Sequence, residues 1–164
     1  MRGKTNIQVN GIAIDLAEYT NKFGLFSAYN PEISVSKLCF IENLEVFLSA
    51  ENIIDPSYTY LHKYGRVGKE FLSGIKASEV LVFPDYDLVG LNEYLVIQKA
   101  FPSATLFLPE NFEDLFKSFA AILPEKQIAS SAVKNSVNPL IIKIRDMVLK
   151  SNRFLEQEIL LLSR

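Results

Sequence analysis

The chain has 164 residues, enough for one domain with a substantial core and short for two. Hydrophobic residues make up 49% and the mean hydropathy is +0.15, yet no apolar run is long enough to span a bilayer. A formal net charge of −2 shows no basic excess of the kind that marks nucleic-acid binders, so any such contact has to depend on a local basic stripe. The single cysteine, Cys39, excludes an intrachain disulfide framework and, inside an apolar run, reads as a buried small hydrophobe. Arg2 and Lys4 are not followed by an apolar h-region, so no secretory signal is expected and the expected location is cytoplasmic. Apolar surplus in a chain of this kind points to a dimer face or an absent partner domain rather than to a membrane.

In chain order, Asn10-Gly11 between apolar runs predicts a hairpin over 7–14, followed by a polar and aromatic connection through Pro31. Residues 1–35 are thus expected as a hairpin and connection, and 36–164 as the main domain with its closing helices. A short apolar strand is predicted over 37–41 and a helix from Glu42 to about Ala50. Residues 58–62 are rich in β-formers, and the stretch from Lys63 through Tyr64 and Gly65 to Gly68 ends them. Helical spacing of Val67, Phe71 and Ile75 predicts a helix over 67–75. A fully apolar strand over 80–84 follows, then a helix over 88–100, a strand over 104–108 and a helix over 112–123 with Asn111 as its cap. Residues 130–138 read as a loop, and 139–150 and 154–162 as two closing helices. Strand–helix alternation at these spacings predicts an α/β fold with a mainly parallel central sheet flanked by helices.

The chemistry concentrates at two strand ends. Val80-Leu81-Val82-Phe83-Pro84 runs into Asp85-Tyr86-Asp87-Leu88-Val89-Gly90. In extended backbone, side chains at i and i+2 share a face, so Asp85 and Asp87 can converge while Tyr86 points elsewhere. Two carboxylates about 4 Å apart repel by ~4 kcal/mol at an effective dielectric near 20, which a shared proton or a divalent cation relieves. The alternative is a solvated turn, where Asp is common. Glu42 leaves the tip of the earlier strand, either as a member of the same site or as a helix-start carboxylate on the macrodipole. Glu45, one turn on, reads equally as support for Glu42 or as a solvated charge. Gly90 reads as a point where the loop and the next helix approach closely. His62, Lys63, Arg66 and Lys69 form the densest basic cluster, a phosphate grip or a solvated loop.

With Glu42 at one strand tip and Asp85-x-Asp87-x-x-Gly90 at a later one, the chain resembles the Toprim superfamily of topoisomerases, primases and nucleases. Phe40-Ile41-Glu42-Asn43-Leu44-Glu45-x-Phe47 is most similar to the branch containing the topoisomerase VI A subunit and the Wadjet plasmid-defence nuclease subunit. Leu88 stands where that branch has proline. Glu156-Gln157-Glu158 resembles a Glu-Gln-Glu run near the carboxyl end of Wadjet-type chains. The resemblance implies a Toprim-like Rossmannoid domain performing divalent-metal-dependent cleavage of DNA phosphodiesters. It implies Mg²⁺, with Mn²⁺ as substitute, on Asp85 and Asp87, and Glu42 as third ligand or general acid/base; Lys63, Arg66 and Lys69 remain candidates for substrate phosphate. DNA, a second copy, or a DNA-binding domain or subunit are the partners that follow. Two rivals stay open: a non-catalytic module on the same scaffold, and an unrelated flavodoxin-like domain whose acids serve signalling. Gly-x-Ser-x-Gly, the phosphate-loop motif and the dinucleotide fingerprint are all absent from the sequence.

Overall fold

A computed structural model of the chain describes residues 1–63 and 65–162; Tyr64, in the turn expected after the 58–62 strand, lies outside the described residues. The organising strand is β3 (Ile33–Ile41), with β5 (Ile75–Phe83) parallel to it along its length, from Ile33 opposite Ile75 to Ile41 opposite Phe83. Leu38, Cys39, Phe40 and Ile41 have no exposed surface, the state expected of a central parallel strand covered on both faces. Burial pushes the Cys39 thiol up, away from reactivity.

The other side of β3 is shared. Its start pairs antiparallel with β1 (Asn6–Val9), Gln8 opposite Ser34, while its end pairs parallel with β4 (Thr59–His62), Ile41 opposite His62. β1 is the inner arm of the expected hairpin, and β2 (Ile12–Asp15) is the outer arm. Asn10 and Gly11 have φ of 51° and 78°, the left-handed angles a tight two-residue turn needs. Asn10 also fastens the hairpin to β3, accepting the Glu32 N–H on its side chain at 2.8 Å and donating its own N–H to the Glu32 carbonyl at 2.9 Å. With β6 (Thr105–Leu106) parallel to β5, the six-stranded sheet runs β2-β1-β3-β5-β6, with β4 beside β3. The sheet is therefore mixed rather than mainly parallel. Its parallel pairs are joined by long crossovers, whereas the hairpin enters antiparallel because a two-residue turn permits nothing else.

Helices flank the sheet. α1 (Leu16–Phe23) replaces part of the expected irregular connection; its N-cap Asp15 accepts the Glu18 N–H at 3.0 Å. α2 (Leu44–Leu48) follows β3, and α3 (Lys69–Ser73) is shorter than the expected 67–75 because Ile75 already opens β5. α4 (Leu88–Ala100) matches its expected span and packs against α3, α6 (Ser131–Lys134) and α7 (Pro139–Ser151). α5 (Phe112–Phe119) precedes a two-residue strand, β7 (Ala121–Ile122), paired antiparallel with β8 (Arg153–Phe154). The expected closing helix over 154–162 is largely replaced. Asn152, at φ 53°, ends α7; β8 and an irregular stretch follow, and only α8 (Ile159–Leu162) is helical. Backbone bonding explains this difference, because Leu155 bridges antiparallel to Tyr86 instead of continuing a helix. Among the described residues, no helix is long and apolar enough to cross a membrane.

Candidate functional site

Side-by-side parallel strands bring the carboxyl ends of β3 and β5 to one rim of the sheet, since Ile41 stands opposite Phe83. Glu42 and Asn43 leave the first, and Pro84 to Asp87 leave the second. Asn43 caps α2, its Oδ1 accepting the N–H groups of Glu45 at 2.8 Å and Val46 at 3.0 Å. Glu42 is thereby held outside the helix, at the rim, half-buried, while Glu45 is exposed on α2.

The two aspartates have the same spacing but different environments. Asp87 caps α4: its Oδ1 accepts the Gly90 N–H at 2.6 Å, and its Oδ2 accepts the Gln127 side-chain amide at 2.7 Å. Asp85 accepts the Gln157 backbone N–H at 3.0 Å. Burial pushes the Asp85 carboxyl up to about 7; the Gln157 N–H pulls the other way, and the charges of Glu42, Glu158 and Asp87 push it further up. The Asp85 carboxyl thus lies within the field of three other carboxylates. Between the aspartates, Tyr86 is fully buried, with its hydroxyl donating to the Phe107 carbonyl at 3.1 Å. Gly90 does allow close approach: a Cβ there would overlap the Asp85 carbonyl oxygen.

One basic residue faces the cluster from inside. Lys63 is 6% exposed and lies 3.4 Å from Glu42 Oε1 and 3.7 Å from Glu93 Oε2. Glu93, on α4, is 4% exposed and also accepts the Val67 N–H at 3.3 Å. Of the three phosphate candidates, Lys63 is therefore turned inward as a counter-charge, while Arg66 and Lys69 lie at the surface. Lys69 lines a cleft of about 570 Å³ with Leu72, Val96 and Phe101. His62 packs tilted against Phe47, with ring centroids 5.4 Å apart.

Four participants have no strong signal in the sequence: Glu93, Gln127, Gln157 and Glu158. Glu93 sits on a helix apolar nearly all round, and an acid there implies a buried partner. Gln157 and Glu158 belong to the tripeptide noted above; Gln157 is fully buried, and Glu158 accepts a hydrogen bond from the Asn43 side-chain amide. Glu156 is exposed. Gln127 lies in a loop and has no signal of its own.

The donor set is all oxygen, which suits a hard divalent cation. Among the described residues, Glu42 Oε2 and Glu158 Oε2 are buried without a hydrogen-bond partner, the condition a bound cation or a proton relieves. As placed, no three His, Cys, Asp or Glu side chains among the described residues are close enough to hold one ion together. In comparisons with known proteins, no family model matches the chain and no curated protein matches it.

Proposed function

We propose that the rim of β3 and β5 is a divalent-cation site of Toprim type, and that the chain carries out metal-dependent cleavage of DNA phosphodiesters. The observation that supports this reading is that Glu42, Asp87 and Glu158 lie close enough to act on the Asp85 carboxyl, with two carboxylate oxygens buried and unpaired among the described residues. On this reading Asp85 and Glu42 are the residues that would hold Mg²⁺ or Mn²⁺. A cation held there supplies charge stabilisation to the phosphoryl oxygens. The chain's own residues do the rest. Gly90 lets α4 close on the Asp85 loop, Asn43 fixes where Glu42 leaves its strand, and Lys63 offsets the negative charge of the cluster before a cation arrives. With Asp85 protonated at mildly acidic pH, the carboxylate form that binds a cation builds up as the pH passes about 7. Arg66, exposed beyond β4, is the candidate contact for substrate phosphate. A plasmid-defence or topoisomerase-related setting follows from the sequence resemblance and from nothing else.

Nicking of supercoiled plasmid in Mg²⁺ or Mn²⁺ tests the reading. Activity should vanish with chelator and in Asp85→Ala and Glu42→Ala variants that still fold; metal-independent nicking, or full activity in both variants, sinks it.

A second reading is favoured by Asp87, whose two oxygens are already taken by Gly90 and Gln127. On that reading the scaffold is a non-catalytic binding or assembly module. It predicts Mn²⁺ or DNA binding with no cleavage under any metal condition.

A further inference from the structure

Segment 155–158 reaches both acid-bearing strand tips, and the polar contacts meet on one residue. Gln157 has no exposed surface. Its Nε2 donates to the Phe83 carbonyl at 2.8 Å, its Oε1 accepts the Asn43 N–H at 3.2 Å, and its own N–H donates to Asp85 Oδ1 at 3.0 Å. On either side of it, the Leu155 carbonyl accepts the Tyr86 N–H at 2.9 Å and Glu158 accepts from the Asn43 amide.

These partners are 72 to 114 residues from Gln157 in the chain, so no local structure substitutes for them. Burying an amide is costly unless its groups are paired, and an aliphatic side chain would fill the same volume without that demand. A fully buried glutamine bridging two strand ends therefore specifies geometry: its planar amide fits only one spacing between the Phe83 carbonyl and the Asn43 N–H. The Phe83 carbonyl lies two residues before Asp85, and the Asn43 N–H belongs to the residue directly after Glu42.

We propose that Gln157 is the positioning residue that locks the tips of β3 and β5 together and holds Asp85 and Glu42 at the separation the rim's chemistry uses. Gln157 touches no substrate; it acts through Asn43, Phe83 and Asp85. The consequence for metal rests on the cation-site reading above, whereas the lock itself does not.

The test compares two variants of the full chain. Gln157→Met keeps side-chain length and removes the amide. Leu155→Ala removes buried packing from the same segment and leaves its backbone bond to Tyr86. Mn²⁺ affinity is measured by calorimetry, and backbone amide exchange is measured by NMR on the metal-free chain. Gln157→Met should weaken Mn²⁺ binding about tenfold or more and speed exchange of the Asn43 amide. Leu155→Ala, with an equal or larger drop in Tm, should leave both near the parent values. Equal loss of Mn²⁺ affinity in the two variants, or unchanged affinity in Gln157→Met, overturns the proposal. Should the parent chain bind no Mn²⁺, the cation-site reading falls and amide exchange decides alone: faster Asn43 exchange only in Gln157→Met supports the lock, and unchanged exchange removes it. If Gln157→Met does not fold, Gln157→Glu keeps the acceptor for Asn43 but lacks the amide donor to Phe83. Faster exchange of the Gln157→Glu backbone amide bound to Asp85 then supports the lock, and parent-like exchange there overturns it.

Discussion

The hairpin at the edge of the sheet and the acidic rim of β3 and β5 are built by opposite means. The hairpin is fixed by two neighbouring residues, Asn10 and Gly11, whose left-handed angles set its turn. At the rim, geometry comes from bonds between residues as much as 115 positions apart, such as Glu158 and Asn43. Each region needs a glycine, for different reasons. Gly11 is needed for its angle, φ 78°, and a Cβ there would meet nothing within 4 Å. Gly90 is needed for space, because the Asp85 carbonyl occupies the place of its Cβ. Local geometry fails locally when mutated, whereas a long-range junction transmits the fault to the site.

Substitutions can break this contrast, beginning with the most damaging. Gly90→Ala forces α4 off the Asp85 loop and should lower the unfolding free energy by ~3 kcal/mol, read from urea denaturation, with Mn²⁺ binding lost in whatever still folds. An unchanged midpoint would mean that the helix does not press on the loop. Asp85→Asn should act in the other direction on stability. The carboxyl is pushed from 3.8 up to about 7 in the folded chain. Between those values the folded state holds more protons than the unfolded state, so metal-free stability falls as pH rises through that window and levels off above it. Asn removes this slope and should raise stability at pH 8 by ~2 kcal/mol, about half the full linkage because the residue is partly exposed. That corresponds to roughly 5 °C in Tm, gained while cation binding is lost. A parent and variant with parallel stability–pH curves would refute the assignment.

Gly11→Ala, at the other pole of the comparison, should cost ~1 kcal/mol and leave Mn²⁺ affinity unaltered in calorimetry; a change in affinity would show the hairpin and rim to be coupled. The smallest effect is expected for Arg66→Ala. Stability should stay within ~0.5 kcal/mol, while the slope of log DNA affinity against log salt should fall by about 1.

The sequence makes plain what depends on neighbours. Asn10-Gly11 announces the hairpin, and the apolar periods of 88–100 and 139–150 announce α4 and α7. Glu42 and Asp85 stand out because each follows an apolar strand, and Asp87 by its spacing. β3 and β5 lie side by side, so Glu42 and Asp85 leave one end of the sheet while Asp87 caps α4, and among the described residues no three acids close on a common point. β3 starts at Ile33, ahead of the apolar run, and its start is hidden in the sequence because exposed Ser34 and Ser36 alternate with buried Ile33 and Val35. β5 is obscured in the same way by Lys76 and Glu79. Residues 154–158 carry helical periodicity, yet Leu155 and Gln157 gain more from the Tyr86 backbone and the two strand tips. Propensity over a few residues yields to such tertiary bonds. Gln127 and Glu93 could not be assigned for the same reason: their partners, Asp87 and Lys63, are distant in the chain.

Tyr86 is a peg driven through the loop that carries both aspartates. Its ring sits edge-on to Phe112 at 4.9 Å and tilted against Phe83, and its hydroxyl is tied to Phe107. The loop therefore cannot swing as a flexible lid does, because withdrawing the peg means opening the aromatic layer beneath β6 and α5. Motion at the acids should accordingly be rare and shared with that layer, so that incoming solutes meet a stiff, ready-made rim rather than one moulded around them.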